Sequence, residues 1–168
     1  MTEQVQHIKE TLGLNPHPEG GYFKETYRSV GIISNENLGD TFTGDRNYCT
    51  AIYFLLTSDT FSAFHRIKQD EMWHFYKGSP LLLHMISEEG DYSKVEIGNN
   101  LEKGGVPQFV VPAKYYFAVE VIEADSYALA GCTVSPGFDF RDFDMPSQNV
   151  LIERFPEHRE VISKLTRT

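Results

Sequence analysis

Basic residues are scarce in this chain. Its 168 residues hold 15 Lys and Arg against 24 Asp and Glu, a net charge of −9. Phosphate backbones demand the opposite sign, so the balance argues against nucleic acid as a partner. Docking on an anionic membrane surface is disfavoured for the same reason. A small anionic ligand stays open, because a pocket's local field can differ from the net charge. Cysteine is scarcer still. Cys49 and Cys132 show no C-x-x-C spacing and each lies in an apolar stretch, so both read as buried thiols in a reducing compartment rather than as a disulfide. No apolar run approaches the roughly 20 residues that span a bilayer. The first 14 residues are polar and lack the apolar segment of a signal peptide. There is no internal repeat and no low-complexity linker. These absences predict a soluble cytoplasmic protein, one domain over residues 1–168, long enough to fold without disulfide or metal.

What the chain has in excess is aromatic: 13%, from 12 Phe, 9 Tyr and one Trp. Flat side chains suit a pleated surface, so strands are expected. Val5, Ile8 and Leu12 recur at helical spacing and Gly13 follows as a stop, which predicts a short first helix. Pro16, Pro18, Gly20 and Gly21 then break regular structure before an extended run from Tyr22 to Val30. In that run Lys24 and Arg28 alternate onto one face. Residues 31–46 read as one exposed loop, long enough to act as a lid. Strands are predicted at 48–57, 61–67, 71–77, 81–87, 92–97, 107–111, 115–122 and 126–134. Short strands at such regular spacing, with turns between, argue for an antiparallel sandwich or barrel. From Ser147 to Leu165 a helix in two pieces is expected, broken at Pro156. The segment before it alternates Phe138, Phe140 and Phe143 with charged residues, which predicts a packed crossing with its charges outward.

The stretch from His65 to Gly78 gathers the most chemistry. It fits a strand, a tight turn and a second strand. In the second strand Glu71, Trp73 and Phe75 share one face, and Met72, His74 and Tyr76 share the other. A carboxyl on a face of Trp and Phe must find a partner or stay protonated. His65 is the nearest candidate.

This stretch resembles the first cupin motif, G-(x)5-H-x-H-(x)3,4-E-(x)6-G, through His65, Glu71 and Gly78. Ile67 stands at the second His position and Asp59 at the leading Gly. The second cupin motif maps onto Pro112, with Lys114 for its Gly and Phe117 for its His. A closer resemblance, over nearly the whole chain, is to the uncharacterised fifth cupin family. It is carried by Pro16–Tyr22, Glu25–Ser29, Thr50–Leu56, Asp70–Tyr76, Pro107–Pro112 and Gly131–Phe140. The resemblance implies an all-β double-stranded β-helix (a cupin jelly roll) with short terminal helices, a homodimer, and a ligand pocket in the barrel mouth. A cupin metal centre uses three His and one Glu. Two of those four positions here are Ile67 and Phe117, and His74 points to the opposite face of a regular strand. No cofactor is therefore expected. A divalent metal on the nonstandard set His65, Glu71 and His74 is the third-ranked reading.

If Phe117 points inward, Tyr115 does too by alternation. The expected pocket then has walls of Trp73, Phe75, Phe117 and Ile67 around His65 and Glu71, with Arg28 as a candidate anion contact at its mouth. Such a pocket suits a small polar or carbohydrate-like ligand. As an enzyme the chain would be an isomerase or epimerase abstracting a proton next to a carbonyl. His65 would be the base, Glu71 its orienter and Tyr115 the acid. The metal-free sugar-nucleotide epimerases, similar at the level of fold, use a His and a Tyr in this way. The competing reading is a non-catalytic binding or storage-like module using the same pocket.

Overall fold

The computed structural model describes residues 2–167. Helix α1 (Thr2–Leu12) precedes twelve strands: β1 (Asn15–Pro16), β2 (Tyr22–Arg28), β3 (Ile32–Ile33), β4 (Arg46–Asn47), β5 (Thr50–Thr57), β6 (Phe61–His65), β7 (Asp70–Gly78), β8 (Leu81–Ile86), β9 (Tyr92–Ile97), β10 (Gln108–Val111), β11 (Tyr116–Val121) and β12 (Tyr127–Ser135). Helices α2 (Gln148–Arg154) and α3 (Arg159–Lys164) close the chain, parted by a 3-10 turn that begins at Pro156. A proline offers no amide hydrogen, so the helical ladder stops there and restarts.

One sheet has the order β1-β2-β5-β12-β7-β10 and the other β6-β11-β8-β9. Every pairing within them is antiparallel. A two-stranded ribbon, β3-β4, stands apart. The two large sheets face one another, and alternation decides what lies between them. From the larger sheet come Phe54, Leu56, Trp73, Ala130 and Cys132; from the smaller come Leu81, Leu83, Phe117, Val119 and Val121. A second cluster, including Phe64, Ala118, Leu151 and Ile162, fixes α2 and α3 to the outer face of the smaller sheet. The apolar stripe of α1 covers Leu55 and Tyr127 on the outside of the larger one. This is the antiparallel sandwich that the strand spacing predicts and the jelly roll that the resemblance implies, with helices at its ends.

Two local features depart from the sequence reading. Glu25 pairs with Ile52 and Tyr27 with Ala51, so Thr26 is an extra residue, a bulge in β2. A bulge reverses the alternation beyond it. Arg28 therefore shares a face with Phe23 and Glu25, whereas Lys24 lies on the other face. The crossing after β12 also turns a charge inward. Asp142 is buried, held by Arg46 through two bonds of 2.6 and 2.7 Å and by Gln69 at 2.7 Å. Arg46 ends the 31–46 loop and is itself buried, so that loop is anchored at its far end.

Candidate functional site

A cavity of about 310 Å³ opens at one end of the larger sheet. That is the low end of the roughly 300–1,000 Å³ usual for small-molecule sites, room for a metabolite and not for a polymer. Neighbouring strands β2, β5 and β12 supply one wall with Phe23, Ile52, Phe54 and Val134. The crossing after β12 supplies the opposite wall with Phe138, Phe140 and Phe143. Glu25, Arg28 and Asp139 stand at the rim. The polar floor is made by His65 at the end of β6, Glu71 near the start of β7, and His17 and Glu19 from the turn before β2.

That turn is built by its glycines. The His17 amide donates to the Gly21 carbonyl at 3.0 Å, and the amide of Gly20 donates to the His17 carbonyl at 3.1 Å. Gly20 has φ +119°, and a Cβ there would sit 2.1 Å from the carbonyl oxygen of Phe61. Only glycine passes so close in that conformation. The Glu19 carbonyl then accepts from the amide of Ala63 at 2.9 Å, which docks the turn on β6 and delivers both side chains to the floor.

The protons of the floor follow from its acceptors. His65 Nδ1 lies 2.7 Å from the Ala63 carbonyl, which can only accept, so Nδ1 carries a hydrogen. His65 Nε2 is 3.0 Å from Glu19 Oε2. One proton is shared between them. Burial pushes His65 down and Glu19 up from their ordinary values, so the pair is held neutral with the proton on the Glu19 side. Ser62 donates to Glu19 Oε1 at 2.8 Å. His17 Nδ1 accepts from the Glu19 amide at 3.4 Å, and burial lowers this imidazole as well.

Glu71 is different. Burial pushes its carboxyl up to about 7, with His65 opposing and Glu19 adding to the rise. It has no hydrogen bond or ion pair among the described residues. The Cys132 thiol and the Trp73 indole are near enough to favour its charged form, yet the Trp73 N–H remains without a proper hydrogen-bond partner. Burial, and then Glu71, push the Cys132 thiol far up, so it is no nucleophile at neutral pH.

The residues singled out from the sequence divide into two groups. His65, Glu71, Ile67 and Arg28 line the cavity together. Trp73, Phe75, Phe117 and Tyr115 are absent from its lining. Trp73 and Phe117 are fully buried, Phe75 and Tyr115 pack against the same cluster, and all four belong to the core between the sheets. They face inward as alternation predicts, one layer behind the cavity. Phe117 pairs across the sheet with His65 and its ring lies 4.1 Å from the imidazole, so it backs the floor instead of lining it. The partner of His65 is also corrected: Glu19 takes its Nε2, and Glu71 stays free. Sequence reasoning missed His17 and Glu19 as floor residues, although the Pro-His-Pro-Glu-Gly-Gly run marks the turn that brings them there.

The donor set for a cupin metal does not fit. Ile67 and Phe117 present carbon at two of the four positions. His74 is on the outer face, bonded to Thr133 Oγ1 at 3.0 Å and Gln108 Nε2 at 3.0 Å. Among the described residues no three His, Cys, Asp or Glu side chains are grouped to hold an ion. Nor is any described helix long and apolar enough to cross a membrane.

Residues 6–146 match the family described as Cupin superfamily (DUF985). The chain is 34% identical over 147 residues to the uncharacterized protein YML079W of Saccharomyces cerevisiae, covering 82% of this chain and 73% of that one. Protein SO0799 from Shewanella oneidensis superposes with a TM-score of 0.87 at 38% identity, over 96% of both chains. A hypothetical protein from Leishmania major gives 0.87 at 35%, over 97% of this chain and 98% of that one. Oxalate decarboxylase from Bacillus subtilis shares the fold alone, at TM-score 0.54 and 16% identity, over 90% of this chain and 37% of that one.

Proposed function

This chain belongs to the DUF985 family of the cupin superfamily, and on that premise we propose that it binds a small ring compound in the barrel cavity and moves a proton on it. One observation carries the reading: a buried carboxyl, Glu71, faces an aromatic-walled cavity without a partner, beside a second pair that already shares a proton. A carboxyl poised near neutrality is suited to both taking and returning a proton. Glu71, rather than His65, is then the base. It removes a proton from a substrate carbon next to a carbonyl, the C–H electrons form the enol double bond, and the Glu19–His65 pair gives its shared proton to the carbonyl oxygen. Return of the proton from Glu71 to the far carbon of a conjugated enol shifts the double bond, and return of the enol proton to the pair restores the site and completes an isomerisation; return to the same carbon gives hydrogen exchange alone. His17, reaching the same floor, orients the oxygen. Tyr115 has no part in this scheme, since it lies outside the cavity lining.

The test uses 1-indanone, a ring ketone with an acidic C–H, incubated with the protein in deuterated water. Enzyme-dependent deuterium incorporation next to the carbonyl is expected, with Glu71→Gln reducing it about 100-fold or more. Incorporation at the uncatalysed rate with wild type would overturn the proton-transfer reading.

A further inference from the structure

The cavity is unbalanced in charge. Four carboxyl groups line it, Glu19 and Glu71 at the floor and Glu25 and Asp139 at the rim, against one permanent cation, Arg28. That guanidinium is already spent. Its Nε and Nη2 grip Glu25 at 2.9 and 2.7 Å, Nη1 donates to Asn47 Oδ1 at 2.8 Å, and Nη2 also reaches the Phe138 carbonyl at 3.2 Å. Asp139 is held by Arg141 at 2.9 and 2.7 Å. Glu19 is held by His65 and Ser62. Glu71 is the remainder, 8% exposed and open to the cavity with nothing to neutralise it. A buried carboxyl in that position either keeps its proton or waits for a positive partner. Five phenyl rings, Phe23, Phe54, Phe138, Phe140 and Phe143, stand in the walls beside Ile52 and Val134, and the face of a phenyl ring carries negative potential that attracts cations.

We infer that the ligand of this cavity is an organic ammonium ion on an apolar ring, its charged head against Glu71 and its body among the Phe side chains. This rests on the cavity reading above and adds a charge to it. The groups facing Glu71 are His65 from β6, Glu19 from the turn before β2, and Cys132 from β12, with Trp73 on its own strand. With His65 neutral none of these brings a positive charge, so the ligand's charge has no competitor. A carboxylate or phosphate would lose its hydration and meet carboxyls with no free cation. A sugar would turn most of its hydroxyls toward phenyl rings that cannot bond them. An ammonium head also keeps Glu71 ionised, which readies it as a base: the substrate itself completes the catalytic group.

Three indane probes that differ in charge test this on the full chain: 1-aminoindane as its ammonium ion, 1-indanone, and indane-1-carboxylate. Binding is followed through the methyl NMR signals of Ile52, Ile67 and Val134, three cavity residues. The ammonium probe is expected to bind at least about tenfold tighter than the other two, and Glu71→Gln to bring that advantage down to about threefold or less while retaining 1-indanone binding. The wild-type ranking alone decides the matter if the variant fails to fold. Equal affinity, or a lead for the ketone or the carboxylate, overturns the inference and leaves the cavity reading intact. Failure of all three probes to shift those signals overturns both.

Discussion

Asp142 and Glu71 are carboxyls sunk to 3% and 8% exposure in the same chain, and the fold treats them oppositely. Asp142 receives two bonds from Arg46 and one from Gln69, with Lys68 Nζ 3.6 Å away. Burial pushes that carboxyl up, and the bonds from Arg46 and Gln69 outweigh it, so it sits below its ordinary value. Glu71 is given no cation and no proper hydrogen bond, and burial wins. The contrast separates a charge used to tie segments together from a charge left over. The fold satisfies one buried acid fully and, about 70 residues along the chain, leaves another facing the cavity without an internal cation.

The comparison breaks most severely at the tied acid. Asp142→Ala leaves the Arg46 guanidinium buried without its counter-charge and is expected to cost about 3–5 kcal/mol. Urea denaturation checks this through a lower midpoint at unchanged slope; a midpoint within error of wild type would contradict the tie. The bare acid should behave in the reverse sense. In the unfolded chain Glu71 loses its proton near 4.5, and in the folded protein near 7. Between those values the folded state holds a proton that the unfolded state has released, so stability falls as pH rises through the window. The full loss is about 3 kcal/mol, complete above pH 7 and absent below 4.5. Glu71→Gln removes it. The variant should therefore gain on wild type in denaturation measured at pH 8 relative to pH 5, and a constant gap across that range would refute the assignment.

Smaller effects sharpen the contrast. Ser62→Ala strips Glu19 Oε1 of its donor and should cost about 1 kcal/mol, read as a modest drop in Tm. His74→Ala, on the outer face, should change stability by about 0.5 kcal/mol or less. Prolonged chelation should leave Tm unmoved, because the positions of a cupin ion site are filled by Ile67 and Phe117; a fall in Tm restored by a divalent ion would overturn that conclusion.

The frame was legible wherever alternation governs. The strands from Thr50 to Ser135 fall within a few residues of the predicted runs, and Trp73, Phe117 and Val119 face inward as their parity requires. What a pattern cannot carry is a contact across the chain. Glu19 meets Ser62 and His65 because two glycines fold the turn onto β6, and no spacing in the sequence states that meeting. Strand parity offers His65 only Glu71, the carboxyl on the Trp and Phe face of the next strand, and the structure gives its Nε2 to Glu19 instead. One extra residue in β2 exchanged the faces of Lys24 and Arg28, since a bulge is invisible to a count of two. The aromatic excess announces strands correctly, but it divides between a dry core and a cavity wall, and the residue types are the same in both. Alternation with Phe138, Phe140 and Phe143 puts Asp142 outward, because its partner Arg46 lies 96 positions away and no local pattern reports it.

That last pair also frames the mouth of the cavity. The Phe138–Phe143 crossing forms one jamb of the opening, and Asp142 within it is bolted to Arg46, whose Nη1 also secures the carbonyls of Thr43, Gly44 and Asp45 at 2.8–2.9 Å. The brace ties the crossing to the end of the 31–46 loop. Phe140 stands at the threshold, 54% exposed, with its ring packed on Phe138 and Phe143. A cut at Asp142 would therefore disturb the aromatic wall and the loop together.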